Sequence, residues 1–244
     1  MPPGRDLRLQ SFWGKVFRAG EKTVRKALRR VLWAVGFLAA GVLLGVLGLW
    51  LAVRHVPAGY RRLAPTEQAQ AKQASDEMVR RMLDLRNALA RKGRWQACFC
   101  QEHLNGWFAV DMLQNHPGAL PMGWSDPRVQ IGPDGIIGYC RWQGGLVDCV
   151  VSVHCEVALA EPNVLAVRLR RVRAGALPVP MKEVLDRISQ AAAQRQIRVQ
   201  WRQAGGDPVA LVPLDFRHPE TGRQVQVESL QLQEGILCLA GSTK

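Results

Sequence analysis

The stretch from Val31 to Val53, VLWAVGFLAAGVLLGVLGLWLAV, constrains the fold of this chain most, because it holds no charged and no strongly polar side chain. As a helix, a stretch of this length spans roughly 30 Å of hydrocarbon at about 1.5 Å per residue. Trp33 and Trp50 lie near its two ends, where indole rings favour the headgroup region of a bilayer. The sequence therefore predicts a transmembrane helix over residues 31–53.

Two other interpretations of the stretch are weaker. A buried core helix seldom runs this long without one polar residue, and the apolar core of a secretory signal peptide is usually about 7–15 residues long. Val56-Pro57-Ala58 does place a small residue where a signal peptidase would require one, so removal of the stretch stays an alternative. We interpret it as an uncleaved anchor.

Charge predicts the orientation of this anchor. Residues 1–30 carry nine Lys or Arg against two acidic residues, whereas only Arg54, Arg61 and Arg62 closely follow the apolar stretch. The positive-inside rule then places the N-terminus in the cytoplasm and the rest of the chain on the far side of the cell (inner) membrane. The predicted segments are a basic cytoplasmic tail (1–30), the transmembrane helix (31–53), a juxtamembrane linker (54–64) and an extracytoplasmic domain (65–244).

The tail and the anchor each carry a pattern that suggests a partner. Apolar residues in the basic tail recur at three- and four-residue steps, which predicts an amphipathic helix in the membrane interface, with a partner-binding helix as the alternative. Anionic lipid attracts each basic residue by about 1 kcal/mol near the surface. Since no nucleic-acid-binding module accompanies the net charge of +13, we expect membrane lipid as a partner and no nucleic acid. Gly41 and Gly45 form a GxxxG pair, a candidate helix-dimer seam.

Beyond the linker, helical and strand periodicities alternate. Helices are predicted to open at Pro65-Thr66 and to cover 102–113 and 181–194; strands are predicted at 95–101, 197–203, 209–215, 224–233 and 236–240, besides two hairpins. The turn Glu234-Gly235 sets Leu232 against Leu237, Leu230 against Leu239 and Gln231 against Cys238, and the changed phase of Val225 and Val227 predicts a bulge near Ser229. A Pro/Gly-rich loop, residues 115–127, carries Trp124. The sequence thus predicts an α+β domain in which a curved antiparallel sheet packs on helices.

The first hairpin turns at Gly144-Gly145, a two-residue loop by composition. Counting back from this turn gives three agreeing pairs in succession: Trp142 with Val147, Arg141 with Asp148, and Cys140 with Cys149. Directly opposed cysteines in a non-hydrogen-bonded pair lie close enough to bridge, and a location outside the cytoplasm favours disulfides. Cys140–Cys149 is therefore the candidate disulfide. The alternative is a set of small buried thiols that behave as hydrophobic residues.

The second hairpin turns at Glu161-Pro162-Asn163 and sets Glu156 opposite Arg168. Its strands alternate between an apolar face and a polar face, the latter carrying Ser152, His154, Glu156 and Arg170. The second strand also holds a cluster of arginines, Arg168, Arg170, Arg171 and Arg173. Alternate members would meet lipid headgroups, a phosphate-bearing polymer or an acidic partner. The favoured interpretation is an exposed strand face whose charge Glu156 partly neutralises.

The candidate contacts for a ligand or partner are two tryptophans and three arginines: Trp107, Trp124, Arg168, Arg170 and Arg173. We predict no catalytic residue, no metal site and no cofactor. Soft metal ligands are present in Cys98, Cys100, His103, His154 and Cys155, but their spacing lacks the two-residue separation that lets a loop wrap zinc. A Cys–His nucleophile is the remaining catalytic alternative, and nothing local in the sequence activates any one thiol.

Two segments carry a resemblance to a known group of proteins: LNGWFAV (Leu104–Val110) and EPNVLAVRLRRVRAGALPVPMKEVLDRI (Glu161–Ile188). They are similar to the YpmS-like families of single-pass bacterial membrane proteins. Those families share an N-terminal anchor, an early helix with Leu-Asn, and a strand running into Gly-x-Leu-Pro-x-Pro before a helix. Here the last motif corresponds to Gly175, Leu177, Pro178 and Pro180. The resemblance implies an extracytoplasmic domain of undefined activity and carries over no catalytic residue.

Together these observations predict a non-catalytic, single-pass membrane protein. Its extracytoplasmic domain is expected to bind a lipid, another apolar ligand or an envelope protein partner. Two alternatives stay open. One is a scaffold subunit of a membrane protein assembly, with a homodimer as the simplest pairing, and the other is an envelope enzyme with a Cys/His site.

Overall fold

The computed structural model describes residues 33, 35–65, 67–145, 147–194, 196–214 and 216–244. The chain divides into two compact units, Met1–Leu51 and Ala52–Lys244. The predicted amphipathic helix of the tail and the predicted cap at Thr66 lie outside the described residues.

Helix α1, residues 35–54, covers most of the predicted membrane span. It lies in the segment Val35–Arg62, where the described part of the chain holds one helix long and apolar enough to cross a bilayer. Its side chains up to Leu51 are exposed. A helix of membrane-spanning length and composition is thus confirmed, whereas the orientation and the seam at Gly41 and Gly45 stay predictions.

The second unit is an α+β domain. Its helices are α2 (Ala58–Arg62), α3 (Gln68–Leu89), α4 (Gln101–Ala109), α5 (Asp111–Asn115) and α6 (Met181–Gln194). Its strands are β1 (Gly93–Cys100), β2 (Trp124–Gly132), β3 (Gly135–Gly144), β4 (Val147–Glu161), β5 (Val164–Ala174), β6 (Leu177–Pro178), β7 (Gln200–Ala204), β8 (Asp207–Pro213), β9 (Phe216–Arg217), β10 (Gln224–Gln233) and β11 (Ile236–Thr243).

These strands form two antiparallel sheets where the sequence predicted one. The smaller sheet has the order β1-β11-β10-β9, and the larger has the order β2-β3-β4-β5-β8-β7, with β6 paired to β5. On the smaller sheet, Trp95, Val225 and Val227 are buried together, and Leu85 and Leu89 of α3 pack against them. An antiparallel sheet packed on helices, as predicted, is therefore confirmed.

Two predicted boundaries are wrong. The helix predicted over 102–113 is interrupted at Val110, whose backbone (φ −119°, ψ −73°) separates α4 from α5. The loop predicted over 115–127 is shorter, because Trp124 begins β2. Trp124 is therefore a strand residue rather than a loop-borne contact.

The register of the β3–β4 hairpin also differs from the prediction. Gly144 pairs with Val147, so Gly144 belongs to the strand and the turn begins at Gly145 (φ +57°) instead of at Gly144. Every pair shifts with the turn, and Arg141 becomes the diagonal neighbour of Asp148 instead of its direct partner. The two long side chains still meet, with the Arg141 Nε donating to Asp148 Oδ1 at 2.9 Å.

The same shift contradicts the predicted Cys140–Cys149 bridge. Cys140 pairs with Val151 and Cys149 with Trp142, so the two cysteines are diagonal neighbours and both are free thiols. Diagonal Cα atoms lie about 7–8 Å apart, which is too far for a disulfide. An arginine can span that gap and a cysteine cannot.

The disulfide of this domain joins Cys98 to Cys238 across 140 residues of sequence. The two residues are directly opposed on β1 and β11, with their Cα atoms 4.1 Å apart. The sequence analysis placed Cys238 opposite Gln231, which the β10–β11 register confirms, but β1 was not assigned as the strand on the other side.

Other predicted pairings are confirmed. Glu156 lies opposite Arg168 on β4 and β5. Leu230 and Leu232 face Leu239 and Leu237 on the last hairpin, and the predicted bulge lies between Val227 and Ser229.

Asn163, in the turn between β4 and β5, joins the two sheets. Its Nδ2 donates to the Val225 carbonyl at 3.3 Å, and its Oδ1 accepts from the Val227 N–H at 2.6 Å. Its own N–H donates to the Val227 carbonyl at 3.0 Å. Asn163 has φ +64°, a conformation that asparagine tolerates better than most residues. The turn of one sheet thus pairs with β10 of the other as a short strand would.

A second pair of amides closes the edge of the larger sheet at β2. Asn105 of α4 donates to the Val129 carbonyl at 2.8 Å and accepts from the Val129 N–H at 2.7 Å. One helical turn earlier, Gln101 Oε1 accepts from the Ile131 N–H at 2.8 Å. Because an open strand edge invites pairing with another chain, this cover also protects the domain from edge-to-edge association.

Replacing Asn163 is expected to weaken the junction of the sheets. Asn163→Gly keeps the positive φ but loses both side-chain bonds, so we expect it to lower the free energy of unfolding by about 1–3 kcal/mol. Asn163→Ala should lose about 1–2 kcal/mol more, since alanine resists the left-handed conformation. Urea unfolding of the detergent-purified chain, followed by tryptophan fluorescence, measures both. Equal stability of the Gly variant and the parent would contradict this role.

Reduction of the Cys98–Cys238 bond is expected to destabilise the domain by about 2–5 kcal/mol. Peptide mapping without reductant should recover Cys98 linked to Cys238, with Cys140 and Cys149 alkylated as free thiols. Reductant should lower the Tm of the parent but leave a Cys98→Ser/Cys238→Ser variant unchanged. Recovery of a 140–149 peptide would contradict the structure.

Candidate functional site

The polar face of the larger sheet gathers the arginines of β5. In an uninterrupted strand, Arg171 and Arg173 would lie on the face opposite to Arg168. The β4–β5 register breaks, however, because Cys155 pairs with Leu169 and the preceding residue, His154, pairs with Arg171. Arg170 is therefore the extra residue of a β-bulge.

Because of the bulge, Arg168 before it and Arg171 and Arg173 after it project from the same polar face of the sheet. We call this surface the arginine face and define it as Ser152, His154, Glu156, Arg168, Arg170, Arg171 and Arg173. Arg173 lies opposite Ser152, Arg171 opposite His154 and Arg168 opposite Glu156. The sequence analysis counted alternate arginines, whereas the structure brings all four to one surface.

Two of the four arginines are neutralised within the domain. Arg170 donates from Nε to Glu156 Oε1 at 2.5 Å and from Nη1 to Asp207 Oδ2 at 2.6 Å. Arg168 lies 3.6 Å from Glu156 and 3.4 Å from Asp207, and it also donates to the Ala204 carbonyl. Asp207 comes from the start of β8, so these pairs bind β5 to both of its neighbours. Arg168 and Arg170 therefore hold a structural position.

The other two arginines keep their charge uncompensated. Arg171 and Arg173 are exposed, and neither forms an ion pair with any residue that the structure describes. Burial lowers the pKa of His154 between them, and the charges of Arg171 and Arg173 lower it further. His154 is therefore neutral at pH 7 and adds no positive charge to the pair.

A shallow cleft of about 350 Å³ opens beside this surface. His154, Glu156 and Arg170 form one wall, and residues from the β2–β3 turn and the β10–β11 turn form the other, namely Gln130, Asp134 and Glu234. Ile136, Ile137 and Cys155 also line the cleft, so apolar surface lies beside its charged groups.

The other end of the polar face is covered by α2, which corrects the prediction that Ser152 is solvated. Tyr60 of α2 is buried against Tyr139 and Val150, and Ser152 is buried beside them. The Tyr60 hydroxyl donates to Asp126 Oδ2 at 2.6 Å, and burial, followed by this bond, raises the pKa of the phenol. The linker predicted over 54–64 is thus part of the folded domain.

Arg128 completes this covering contact. Its guanidinium lies 4.0 Å from the centre of the Tyr60 ring, and its Nη1 donates to the Tyr60 carbonyl at 2.7 Å. Its Nη2 donates to Asp126 at 2.7 Å, within a bulge where Asp126 has φ +50°. Sequence reasoning missed this Tyr60–Asp126–Arg128 group, because no local pattern links residues 66 or more positions apart.

The five predicted contact residues do not form one surface. Arg168, Arg170 and Arg173 lie on the arginine face, whereas Trp124 pairs with Trp142 on the opposite face of the same sheet. Trp107 lies on α4, with its ring 5.6 Å from those of both Phe108 and His116. Arg171, which the candidate list omitted, is on the arginine face.

Three free thiols, Cys140, Cys149 and Cys155, are poor nucleophiles. Burial raises the pKa of both Cys140 and Cys155 to about 11, and burial also raises the pKa of Cys149. His154 and Cys155 are consecutive strand residues and so project to opposite faces of the sheet. Among the described residues, no group of three or more His, Cys, Asp or Glu side chains is placed to hold a metal ion.

The motif residues of the resemblance have clear local roles. In the Leu-Asn-Gly sequence of α4, Asn105 caps β2, and Gly106 lets α4 approach α3, since a Cβ there would lie 2.6 Å from the Ala74 Cβ. Gly175 has φ +61°, and a Cβ on it would lie 2.1 Å from the Val53 carbonyl oxygen. These are requirements of packing rather than of chemistry.

No family model, curated protein or solved structure matches this chain. The YpmS-like resemblance therefore stays a prediction, and the function has to be argued from the geometry of the domain.

His154 is expected to make the domain sensitive to acid. Its pKa in the folded state lies below the ordinary 6.5, so the unfolded chain takes up the proton that the folded chain resists. The contribution of neutral His154 to the free energy of unfolding should be fully present above about pH 6.5 and should be lost as the pH falls through its lowered pKa. His154→Gln should flatten this slope in Tm between about pH 5 and 8. An unchanged slope in the His154 variant would contradict the assignment.

Proposed function

We propose that this chain is a non-catalytic, membrane-anchored binding protein of the cell envelope, whose arginine face binds an acidic segment of a partner protein. The observation that carries the proposal is the bulge at Arg170, which assembles four arginines on one sheet face against two carboxylates, Glu156 and Asp207. Arg171 and Arg173 are left to bind an anion supplied by another molecule.

The dimensions of the arginine face favour an extended protein segment. The uncompensated arginines, Arg171 and Arg173, lie about 7 Å apart along the strand at roughly 3.3 Å per residue. Alternate side chains of an extended acidic peptide have the same spacing, so two acidic side chains of one segment can meet the two arginines.

The proposed location outside the cytoplasm has two supports. The basic residues preceding α1 favour a cytoplasmic N-terminus by the positive-inside rule. The Cys98–Cys238 disulfide is typical of an oxidising compartment. The domain would then lie on the outer side of the inner membrane, attached to it by α1.

Peptide binding tests the proposal with a matched control. The full chain in detergent should bind a fluorescein-labelled octaglutamate peptide, with affinity that falls as salt rises. Arg171→Ala/Arg173→Ala should weaken binding by about tenfold or more, because it removes the uncompensated charges. Arg91→Ala/Arg94→Ala removes the same net charge from exposed positions elsewhere and should change affinity less than about twofold.

Fluorescence anisotropy of the labelled peptide gives the dissociation constants. Equal loss of affinity in the two double variants would show that only net charge matters and would contradict the proposal. Absence of binding by the parent at low salt would do the same.

A further inference from the structure

The β5–β6 turn is locked to the end of α1. The Ala176 N–H donates to the Ala52 carbonyl at 2.8 Å. At Gly175, a Cβ would lie 2.5 Å from the Ala52 oxygen and closer still to the Val53 oxygen, so the turn packs there with its bare backbone. Ala52 and Val53 belong to the folded unit Ala52–Lys244 and lie in the last turn of α1. This turn therefore marks the side of the domain at which the chain leaves the proposed span.

The β3–β4 hairpin reaches the same side. The Gly175 N–H donates to the Val150 carbonyl of β4 at 2.9 Å, which joins this hairpin to the turn that contacts Ala52 and Val53. At its tip, Val147 is 37% exposed.

The loop before β2 lies against this hairpin. The Gln143 N–H donates to the Gly123 carbonyl at 2.7 Å, and Gly123 has φ +84° with no room for a Cβ, which would lie 2.8 Å from the Gln143 oxygen. This contact holds the neighbouring Met122 beside the hairpin, and the side chain of Met122 is 100% exposed. A single exposed apolar residue is ordinary on a protein surface, so the exposure of Met122 suggests an interaction only because of where Met122 lies.

We propose that Met122 and Val147 insert into the headgroup region of the bilayer that holds α1. The occupant of this surface is the membrane itself, because the β5–β6 turn, at the same end of the larger sheet as Met122 and Val147, contacts the last residues of α1. Two apolar side chains in the interface contribute modestly, but the covalent anchor keeps them at the surface, so weak insertion suffices to orient the domain. The inference rests on the proposed anchoring by α1 and is independent of what the arginine face binds.

Depth-dependent quenching tests this inference on the full chain. An azide-bearing amino acid replaces one residue at a time and is coupled to nitrobenzoxadiazole, so that the native cysteines stay untouched. The vesicles contain phosphatidylethanolamine and phosphatidylglycerol at about seven to three, with spin-labelled lipid as the quencher. The labelled positions are Met122, Val147, Leu44 of α1, which is 69% exposed, and Leu83 of α3, which is 50% exposed.

We expect spin-labelled lipid to quench the dye at Leu44, Met122 and Val147, and at least about twofold less at Leu83, whose helix packs on the other sheet. Quenching at Leu44 without quenching at Met122 would overturn the inference and leave the anchoring intact. No quenching at Leu44 would overturn the anchoring and this inference with it. In a chain labelled at Val147, Met122→Asp should reduce the quenching, whereas Met122→Leu should preserve it.

Discussion

Side-chain amides make the hydrogen bonds on which the arrangement of the two sheets depends. Asn163 pairs with the backbone of β10, and Asn105 and Gln101 pair with the backbone of β2. An amide carries a donor and an acceptor at a fixed spacing, so it can replace one residue of a neighbouring strand. Buried backbone groups at these junctions would otherwise lack partners, at a cost of about 1–3 kcal/mol each. Asn163 therefore holds the β4–β5 turn of the larger sheet to β10 of the smaller one, whereas Asn105 and Gln101 hold α4 to the edge of the larger sheet.

The bulge at Arg170 couples the fold of β5 to the chemistry of its surface. Without it, the residues after Arg170 would exchange faces, and Arg171 and Arg173 would lie among the apolar residues that include Leu169. Burying two unpaired guanidinium groups is strongly unfavourable, so sequence and irregular geometry require each other here. Because Arg170 bonds both Glu156 and Asp207, the irregular residue is itself held in place.

Much of the fold follows from patterns that are local in the sequence. The helices at α3 and α6, the last hairpin, its bulge near Ser229 and the pairing of Glu156 with Arg168 were all predictable from periodicity and turn composition. The β3–β4 register was not predictable, since Gly144 and Gly145 are equally good turn residues. Moving the turn by one residue shifts each cross-strand pair by two residues, so every side chain stays on the same face of the sheet. The Arg141–Asp148 contact survives this change, whereas the shorter side chains of Cys140 and Cys149 can no longer meet.

The candidate site was harder to predict than the elements that build it. The sequence shows four arginines within six residues of β5. The bulge that places them on one face depends, however, on pairing with His154 and Cys155 across the hairpin. Tyr60 and Arg128 meet across 68 residues, and Cys98 and Cys238 across 140. Contacts of this range depend on tertiary packing, which periodicity in a single chain does not encode.

The smaller sheet has a consequence for biosynthesis. Strand β1 directly follows α3, yet its partner β11 is the last of the described strands, with Gly93 opposite Thr243. A chain that emerges residue by residue cannot finish this sheet until β11 is available, and until then the apolar side of α3 has no complete surface to cover. Closure over so long a loop is slow, and such intermediates are prone to aggregate. A nascent domain of this topology would depend on holding chaperones throughout its synthesis, and a product truncated before β11 would be treated by proteases as unfolded.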